Sequence, residues 1–267
     1  MNQQDPRLES FGRLLKIMDE LREQCPWDKK QTIESLRHLS IEEVYELSDA
    51  ILDGKPEGLK KELGDVLLHI VFYSRIASEK QWFNIQDVID SLCTKLIDRH
   101  PHIYGKVDGE LKQVTNEEDV KQNWEKLKLR EGNRSALSGV PNSMPALIKA
   151  FRIQEKASGV GFDWERPEQV WEKVEEELSE LRHEIGQKAD MNRITGEFGD
   201  VLFSLVNYAR LTGINPEDAL ELTNRKFIFR FKYLEEKVKE AGKNLSDLSL
   251  EEMDVFWNQA KEIPGGA

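Results

Sequence analysis

The chain has 267 residues, of which 33% are charged and 39% are hydrophobic, a composition typical of a globular protein and not of a disordered one. Its formal net charge of -12 and its pI near 5.1 argue against non-specific binding to nucleic acid or to an anionic membrane surface. With two cysteines, no basic-then-apolar leader and no long apolar run, we expect a cytoplasmic protein without a disulfide framework or a membrane span.

The apolar residues recur at helical spacing along most of the chain, and strand-like alternation is scarce. This spacing is clearest in four segments, which are residues 8–23, 66–77, 171–184 and 201–211. Capping boxes, in which a hydroxyl residue precedes Glu by three positions, predict helix starts at Ser40, Thr115 and Ser249. Asn215 followed by Pro216 predicts a further start, with proline at the first helical position.

The second half of the chain repeats the first at an offset of 131 to 135 residues. Asp65 matches Asp200, Arg99 matches Arg230, and the intervening polar positions stay in step. A stretch rich in glycine, proline and small polar residues lies between the two copies, as is typical of linkers. We therefore predict an all-α fold of two tandem homologous helical bundles, at 6–131 and 143–263, joined by a linker at 132–142.

Each repeat carries the same carboxylate pattern. The first copy consists of Glu42, Glu43, Glu46, Glu62 and Asp65, and the second of Glu176, Glu177, Glu180, Glu197 and Asp200. Spacings of three and four place the glutamates on one face of a helix, where like charges repel unless a cation binds. Such oxygen donors are the ligands that Mg²⁺ and Mn²⁺ prefer, so the pattern predicts metal sites that handle phosphates.

Three simpler interpretations of these carboxylates stay open, namely a helix face in water, a capping role for Glu43, and buried aspartates that are hydrogen-bonded to a neighbouring helix. A glutamate-rich helix can merely face water, and Glu43 can serve as the capping partner of Ser40. Asp65 and Asp200 each begin an apolar helical segment, where a carboxylate is costly unless it is paired, hydrogen-bonded to a neighbouring helix or bound to metal. A glycine precedes each of these two aspartates, which suggests close approach of a helix or a ligand.

Basic and aromatic residues also recur at helical spacing. Lys226 lies four residues before Arg230, Trp257 lies four residues before Lys261, and Lys173 precedes the second acidic cluster by one turn. Each cation alone is best explained as a salt-bridge partner. Together with bound metal they would neutralise a polyphosphate, and the tryptophan could stack on a base.

The chain resembles the MazG family of nucleoside triphosphate pyrophosphohydrolases over essentially its whole length. The residues that carry this resemblance are the two acidic patterns and the segments 25–28, 62–65, 100–102, 160–164 and Trp257. The resemblance implies an all-α NTP pyrophosphatase fold, a homodimer and Mg²⁺, with Mn²⁺ as a possible substitute. It also implies hydrolysis of (d)NTPs to monophosphate and pyrophosphate in a nucleotide-pool role.

The resemblance also assigns roles to residues of the second unit. The implied metal ligands are Glu177, Glu180, Glu197 and Asp200, and Glu176 is a candidate to orient or deprotonate the attacking water. The implied nucleotide-binding residues are Lys173, Glu176, Asn207, Lys226, Arg230, Trp257 and Lys261, with a contribution from Lys128. The first copy of the pattern would form a second metal site.

The second unit is predicted to carry the main activity. Phe72 and Cys93 stand in the first unit where the second has Asn207 and Asn224, so two polar groups able to contact a nucleotide have been lost. The stronger C-terminal catalyst is also what the family resemblance implies.

Two other functions stay open at the level of sequence. A carboxylate-bridged di-metal oxidase is suggested by Glu180 followed three residues later by His183, although the first repeat has no such histidine. A non-enzymatic regulatory protein would use its acidic helices to bind a partner.

Overall fold

All regular structure in residues 5–105, 119, 120, 123 and 135–263, which this computed structural model describes, is helical. The chain divides into two units, residues 1–108 (unit 1) and 109–267 (unit 2). The all-α tandem arrangement is therefore confirmed. The boundaries of the 132–142 linker stay a prediction, since residues 121, 122 and 124–134 lie outside the described part of the chain.

Unit 1 has five described α-helices, which are α1 (Pro6–Gln24), α2 (Ile33–Asp53), α3 (Pro56–Glu79), α4 (Ile85–Arg99) and α5 (Pro101–Tyr104). Gly54 ends α2 in the left-handed conformation, with a φ of 66°, and Pro56 begins α3 directly afterwards. This short connection folds α2 and α3 against each other as a helical hairpin.

The capping box predicted at Ser40 is wrong, because α2 begins seven residues earlier. Thr32 is its N-cap and forms the capping box with Ser35. Ser40 lies inside the helix and donates its hydroxyl to the Leu36 carbonyl oxygen at 3.0 Å. Glu43 consequently has no capping role and is available as a ligand.

Unit 2 has five described α-helices, which are α6 (Ala146–Ser158), α7 (Pro167–Gly186), α8 (Met191–Leu211), α9 (Pro216–Glu240) and α10 (Leu250–Lys261). Two predicted starts are confirmed, since Asn215 caps α9 and Ser249 forms a capping box with Glu252 at α10. The start predicted at Thr115 lies outside the described residues. Helices α7 and α8 form a hairpin equivalent to that of α2 and α3.

The two units have different cores. Unit 1 buries a cluster of larger side chains, which includes Met18, Leu36, Phe72 and Ile76. Unit 2 buries mainly valines and alanines of its helices, such as Val170, Val174, Val201, Val206 and Ala209. None of the helices in the described part of the chain is both long and apolar enough to cross a membrane.

Candidate functional site

The α7–α8 hairpin brings together three carboxylates of the second acidic pattern. Glu177, Glu197 and Asp200 each offer an oxygen, and these oxygens all lie within 4.8 Å of one another. We call these three residues the unit 2 cluster. Glu177 is only 7% exposed, whereas Asp200 is at the surface. Two facing helices thus bring together carboxylate oxygens, which are the donors that hard divalent cations prefer.

Glu180, which is exposed, does not belong to this tight set but lies near it. Burial raises the pKa of Glu197, and the negative charges of Glu180, Asp200 and Glu177 raise it further. A bound cation would remove this mutual repulsion. The predicted second-unit ligands are thus close together, with Glu180 at the margin.

Lys173 lies one turn before the cluster on α7 and binds two of the predicted acids. Its Nζ lies 2.7 Å from Glu177 Oε1 and donates to Glu176 Oε1 at 3.0 Å. The hydrogen bond to Glu177, followed by that to Glu176, raises the pKa of Lys173 well above its ordinary value. The site therefore holds a fixed positive charge beside its carboxylates.

Unit 1 forms an equivalent cluster from Glu43, Glu62 and Asp65, whose ligand oxygens also lie within 4.8 Å of one another. We call these residues the unit 1 cluster. Glu62 is 8% exposed, and its Oε2 has no hydrogen-bond partner among the described residues. Lys61 Nζ contacts Glu62 Oε1 at 2.8 Å and Asp65 Oδ2 at 3.7 Å. Burial raises the pKa of Glu43, and the charge of Asp65 adds to that effect.

The glycines that precede the two aspartates do not mark a close helix approach. A Cβ atom added to Gly64 or Gly199 would meet nothing within 4 Å among the described residues. The sequence suggested close approach of either a helix or a ligand at these glycines, and the structure shows no close helix contact at either one.

A cavity of about 760 Å³ opens beside the unit 2 cluster, lined by residues of α6, α7 and α8, of the segment before α6 and of the connection between α6 and α7. Lys173, Glu177 and Asp200 line it, so the cavity is continuous with the carboxylates. Most of the remaining wall is apolar or aromatic, and includes Ile153, Val160, Phe162, Trp164, Val170 and Phe203. Such a space, apolar with a few polar groups, is typical of a small-molecule site.

Three connected polar side chains line the same cavity. Arg210 donates from Nη1 to Asp163 Oδ2 at 3.0 Å, and from Nε and Nη2 to Asn207 Oδ1 at 3.1 and 2.9 Å. Burial alone would raise the pKa of Asp163, but hydrogen bonds from Arg210, Ser158 and the Trp164 backbone, together with the charge of Arg210, lower it. Asn207 is a site residue predicted from the sequence, whereas Asp163 and Arg210 are site candidates that only the structure reveals. Arg75 and Arg210 occupy the same position in the two repeats, 135 residues apart, and this match could have indicated Arg210 from the sequence.

In unit 1 several positions that correspond to this cavity are packed with apolar side chains, and the cavity that remains beside Met18, Asp19 and Arg75 is only about 150 Å³. Phe72, at the position of Asn207, is 3% exposed. At the repeat offsets of 134 and 135 residues, the cavity residues Ile153, Val170, Lys173 and Phe203 correspond to Met18, Leu36, Leu39 and Leu68. These four residues and Phe72 all belong to the hydrophobic cluster of unit 1.

Arg22 adds to this packing where unit 2 has the small Ala157. Its Nη1 donates to two backbone carbonyls of the 28–31 turn, and its Nε donates to Glu79 Oε1 at 2.8 Å. The guanidinium lies 5.9 Å from the centroid of the Phe72 ring. Unit 1 thus keeps the carboxylates but fills the neighbouring space.

The remaining predicted substrate residues that the structure describes lie on α9 and α10. The Arg230 guanidinium lies 5.7 Å from the centroid of the Trp257 ring, and the Phe227 and Trp257 ring centroids are 5.0 Å apart. Lys261 Nζ donates to Asn258 Oδ1 at 2.8 Å. The cavity wall contains none of Lys226, Arg230, Trp257 and Lys261. Lys128 lies outside the described residues.

The structure does not favour a di-metal site of the Glu-x-x-His type. His183 is exposed, and neither cluster found among the described residues contains a histidine. A carboxylate-only site is better suited to a hard cation such as Mg²⁺ than to a redox metal with imidazole ligands.

Fold and site together define an all-α tandem protein with a carboxylate cluster in each unit and a large cavity beside the second cluster. The family model of the MazG nucleotide pyrophosphohydrolase domain matches the chain twice, at residues 31–104 and 165–234. The chain belongs to the MazG family.

Similarity to known proteins extends beyond the two matched domains. The chain is 45% identical to the nucleoside triphosphate pyrophosphohydrolase/pyrophosphatase MazG of Thermotoga maritima, over 94% of this chain and 95% of that protein. It is 38% identical to the nucleoside triphosphate pyrophosphohydrolase of Escherichia coli K12, over 95% and 98% of the two chains. It is also 46% identical to YabN of Bacillus subtilis, over 94% of this chain but 52% of that longer protein.

Proposed function

We propose that the chain hydrolyses nucleoside triphosphates with water to a nucleoside monophosphate and pyrophosphate, and that unit 2 is the main catalytic unit. The observation that carries this proposal is the continuity of the unit 2 cluster with a cavity large enough for a nucleotide. The names of the Thermotoga maritima and Escherichia coli relatives support the same reaction. A cytoplasmic role in controlling the nucleotide pool accords with this reaction.

Magnesium is the cofactor that best fits the unit 2 cluster, with manganese as a substitute. The donors are carboxylate oxygens from Glu177, Glu197 and Asp200, and Glu180 is near enough to complete the set. Oxygen-only donors and several unbalanced negative charges match a hard divalent cation. When bound, such an ion neutralises phosphate charge and activates water for hydrolysis.

The residues of α7 supply the other functions that the reaction needs. Lys173 holds a positive charge where phosphate oxygens would come close to the carboxylates, so it offsets charge repulsion on binding. Glu176 is exposed and accepts a hydrogen bond from Lys173, which leaves its second oxygen available to orient or deprotonate water. Lys226, Arg230, Trp257 and Lys261 lie outside the cavity wall, so they are proposed to contact, from α9 and α10, the part of the nucleotide that the cavity does not enclose.

Unit 1 is proposed to bind a cation without turning over a nucleotide. The unit 1 cluster has the same oxygen donors, and the unpartnered Oε2 of buried Glu62 favours a bound cation. Glu42 and Glu46 lie nearby and add negative charge to Glu43. Phe72 and Arg22 are packed at this site, and the cavity found there among the described residues is only about 150 Å³, too small for a nucleotide.

A homodimer is proposed from an apolar stripe that occurs in both units. Phe198, Leu202 and Leu205 are exposed along one face of α8, at spacings of four and three residues. Their counterparts Leu63, Leu67 and Ile70 are exposed in the same way on α3. Repeated exposed apolar stripes of this kind mark interaction surfaces. Sedimentation of the wild type as a monomer would contradict the dimer, and Leu202→Glu is expected to weaken it.

Product analysis tests the reaction. The full chain is incubated with a panel of NTPs and dNTPs and Mg²⁺, beside a reaction with EDTA and one with the Glu180→Ala variant. We expect monophosphate and pyrophosphate in equimolar amounts, lost with EDTA and strongly reduced in the variant. Diphosphate and orthophosphate, or no turnover, would contradict the proposed function.

A further inference from the structure

We infer that the unit 2 cavity receives the nucleoside half of the substrate, and that Asn207, oriented by Arg210 and Asp163, donates a hydrogen bond to the base. This inference rests on the proposed function and extends it from the phosphates to the base. It assigns Asn207 as a specificity-determining residue and Arg210 and Asp163 as positioning residues.

The continuity of the cavity with the charged groups identifies its occupant. Lys173, Glu177 and Asp200 line the cavity together with apolar and aromatic side chains. A ligand that places phosphates at the charged end must therefore carry a mainly apolar, flat group into the remainder. At about 760 Å³, the cavity lies within the usual range of small-molecule sites and can hold a base with its sugar.

The orientation of the Asn207 amide follows from its partner. A guanidinium only donates, so the two bonds from Arg210 require the oxygen of Asn207 to face it. Both carboxylate oxygens of Asp163 accept hydrogen bonds from Arg210. Asp163 Oδ1 also accepts a hydrogen bond from the Trp164 backbone N–H at 2.8 Å. The Asn207 amide nitrogen is thereby left as a donor, with no acceptor among the described residues.

The chemistry of this donor determines the ligand class. An amide N–H₂ group recognises a carbonyl oxygen or a ring nitrogen, and both occur on nucleobase edges. Phe162, Trp164 and Phe203 line the same cavity and offer flat surfaces against which a base can pack. The expected ligand is therefore a nucleobase with an acceptor on its edge, attached to a triphosphate.

Unit 1 provides an internal comparison for this assignment. Phe72 replaces the amide donor, and Arg22 takes up space where unit 2 has Ala157. The positioning chain is also rearranged, since Arg75 pairs with Asp19 at 2.7 Å and with Glu79 at 3.1 Å. Unit 1 therefore lacks the amide donor, holds the equivalent arginine with other partners, and fills the space that is open in unit 2.

Calorimetry with two probes separates base recognition from phosphate binding. The probes are an α,β-imido nucleoside triphosphate, which resists hydrolysis, and inorganic tripolyphosphate, each with Mg²⁺. The proteins are wild type, Asn207→Ala, Arg210→Lys, the double variant, and Asn192→Ala as a matched control on an exposed turn of α8. Thermal unfolding of each variant checks that it folds.

We expect Asn207→Ala to weaken binding of the imido nucleotide by about tenfold and to change tripolyphosphate binding less than about twofold. Arg210→Lys should produce a similar selective loss, and the double variant should lose little more than either single variant. Asn192→Ala should behave as wild type.

Equal loss for both probes, no loss in Asn207→Ala, or additive losses in the double variant would overturn the inference. So would wild-type binding of the imido nucleotide no tighter than that of tripolyphosphate. These binding results do not depend on turnover. Failure of the proposed reaction would instead appear as absent or incorrect products while the selective binding persists.

Discussion

Unit 1 and unit 2 hold their carboxylates in the same way but differ in what lies beside them. In both units a helical hairpin gathers three acids whose ligand oxygens lie within 4.8 Å of one another. Beside the unit 2 cluster is a cavity of about 760 Å³, whereas many of the matching positions of unit 1 belong to a packed hydrophobic cluster and the cavity that remains is about 150 Å³.

On the proposed assignment of the substrate site to unit 2, an intact set of carboxylates does not by itself make a unit catalytic. Three substitutions between the repeats change the space and the charge around the acids. Ala157, Lys173 and Asn207 of unit 2 correspond to Arg22, Leu39 and Phe72 of unit 1. Gene duplication followed by such changes can keep a metal site while converting a substrate space into a core.

The largest expected effect is on stability. Phe72→Ala should lower the free energy of unfolding by about 3–5 kcal/mol, because it removes a buried ring from the unit 1 cluster. Asn207→Ala should cost less than about 1.5 kcal/mol, because the amide lines a cavity and its removal deletes hydrogen bonds only. Urea denaturation of the two variants measures both values. Similar losses would show that the cavity is as tightly packed as the core.

The next largest effect is on turnover. Glu177→Gln should reduce kcat/KM by about a hundredfold or more, because it weakens the cation site and the phosphate-charge stabilisation that depends on it. Glu43→Gln, the matched change in the unit 1 cluster, should change kcat/KM by less than about twofold. Steady-state assays with one NTP compare the two. A larger loss in Glu43→Gln would reverse the assignment of the catalytic unit.

A smaller effect is expected from giving unit 2 the residue that unit 1 carries at the same position. Lys173→Leu should raise KM by about tenfold, since a charged hydrogen-bond donor near the phosphates is lost. Arg182→Leu, at an exposed position of the same helix, is the control. An unchanged KM in Lys173→Leu would remove this lysine from the phosphate site.

The smallest effect concerns the ion pair that holds Arg22 in unit 1. The hydrogen bond from Arg22 lowers the pKa of Glu79 below its ordinary value of 4.5, against the opposing effect of burial. A lowered folded-state pKa means that the pair stabilises the protein above that ordinary value and loses this contribution as pH falls through the folded-state pKa. Glu79→Gln should therefore cost up to about 1 kcal/mol at neutral pH and nothing in strong acid.

Denaturation at several pH values follows this change, with Glu23→Gln, an exposed carboxylate on α1, as the control. A loss in Glu79→Gln that does not depend on pH would show that the contact acts through packing and not through charge.

Much of the fold follows from local signals in the sequence. The repeat offset and the helical spacing predict the tandem bundles, and the starts of α9 and α10 follow from Asn215 and Ser249. The box at Ser40 was wrong because a capping pattern also fits inside a helix, and Thr32 supplies an earlier start with its own partner. Local chemistry cannot decide between two such starts when tertiary packing favours the longer helix.

The site is less predictable than the fold. Glu177, Glu197 and Asp200 come together as the pattern predicts, because their spacing fixes one face of each helix. The cavity depends on side-chain volumes contributed by three helices and two connecting segments, so no single motif reveals it. Ala157, the small residue opposite Arg22 in the repeat, becomes informative only after both units are superimposed residue by residue.

The most direct test of the difference between the units is the number of nucleotides bound per chain. Equilibrium dialysis of the full chain against an α,β-imido nucleoside triphosphate and Mg²⁺ measures it. We expect one nucleotide per chain, retained in Glu43→Gln and lost in Asn207→Phe, which places the unit 1 residue in the unit 2 cavity. Two nucleotides per chain, or one that survives Asn207→Phe and is lost in Glu43→Gln, would contradict the assignment of the substrate site to unit 2.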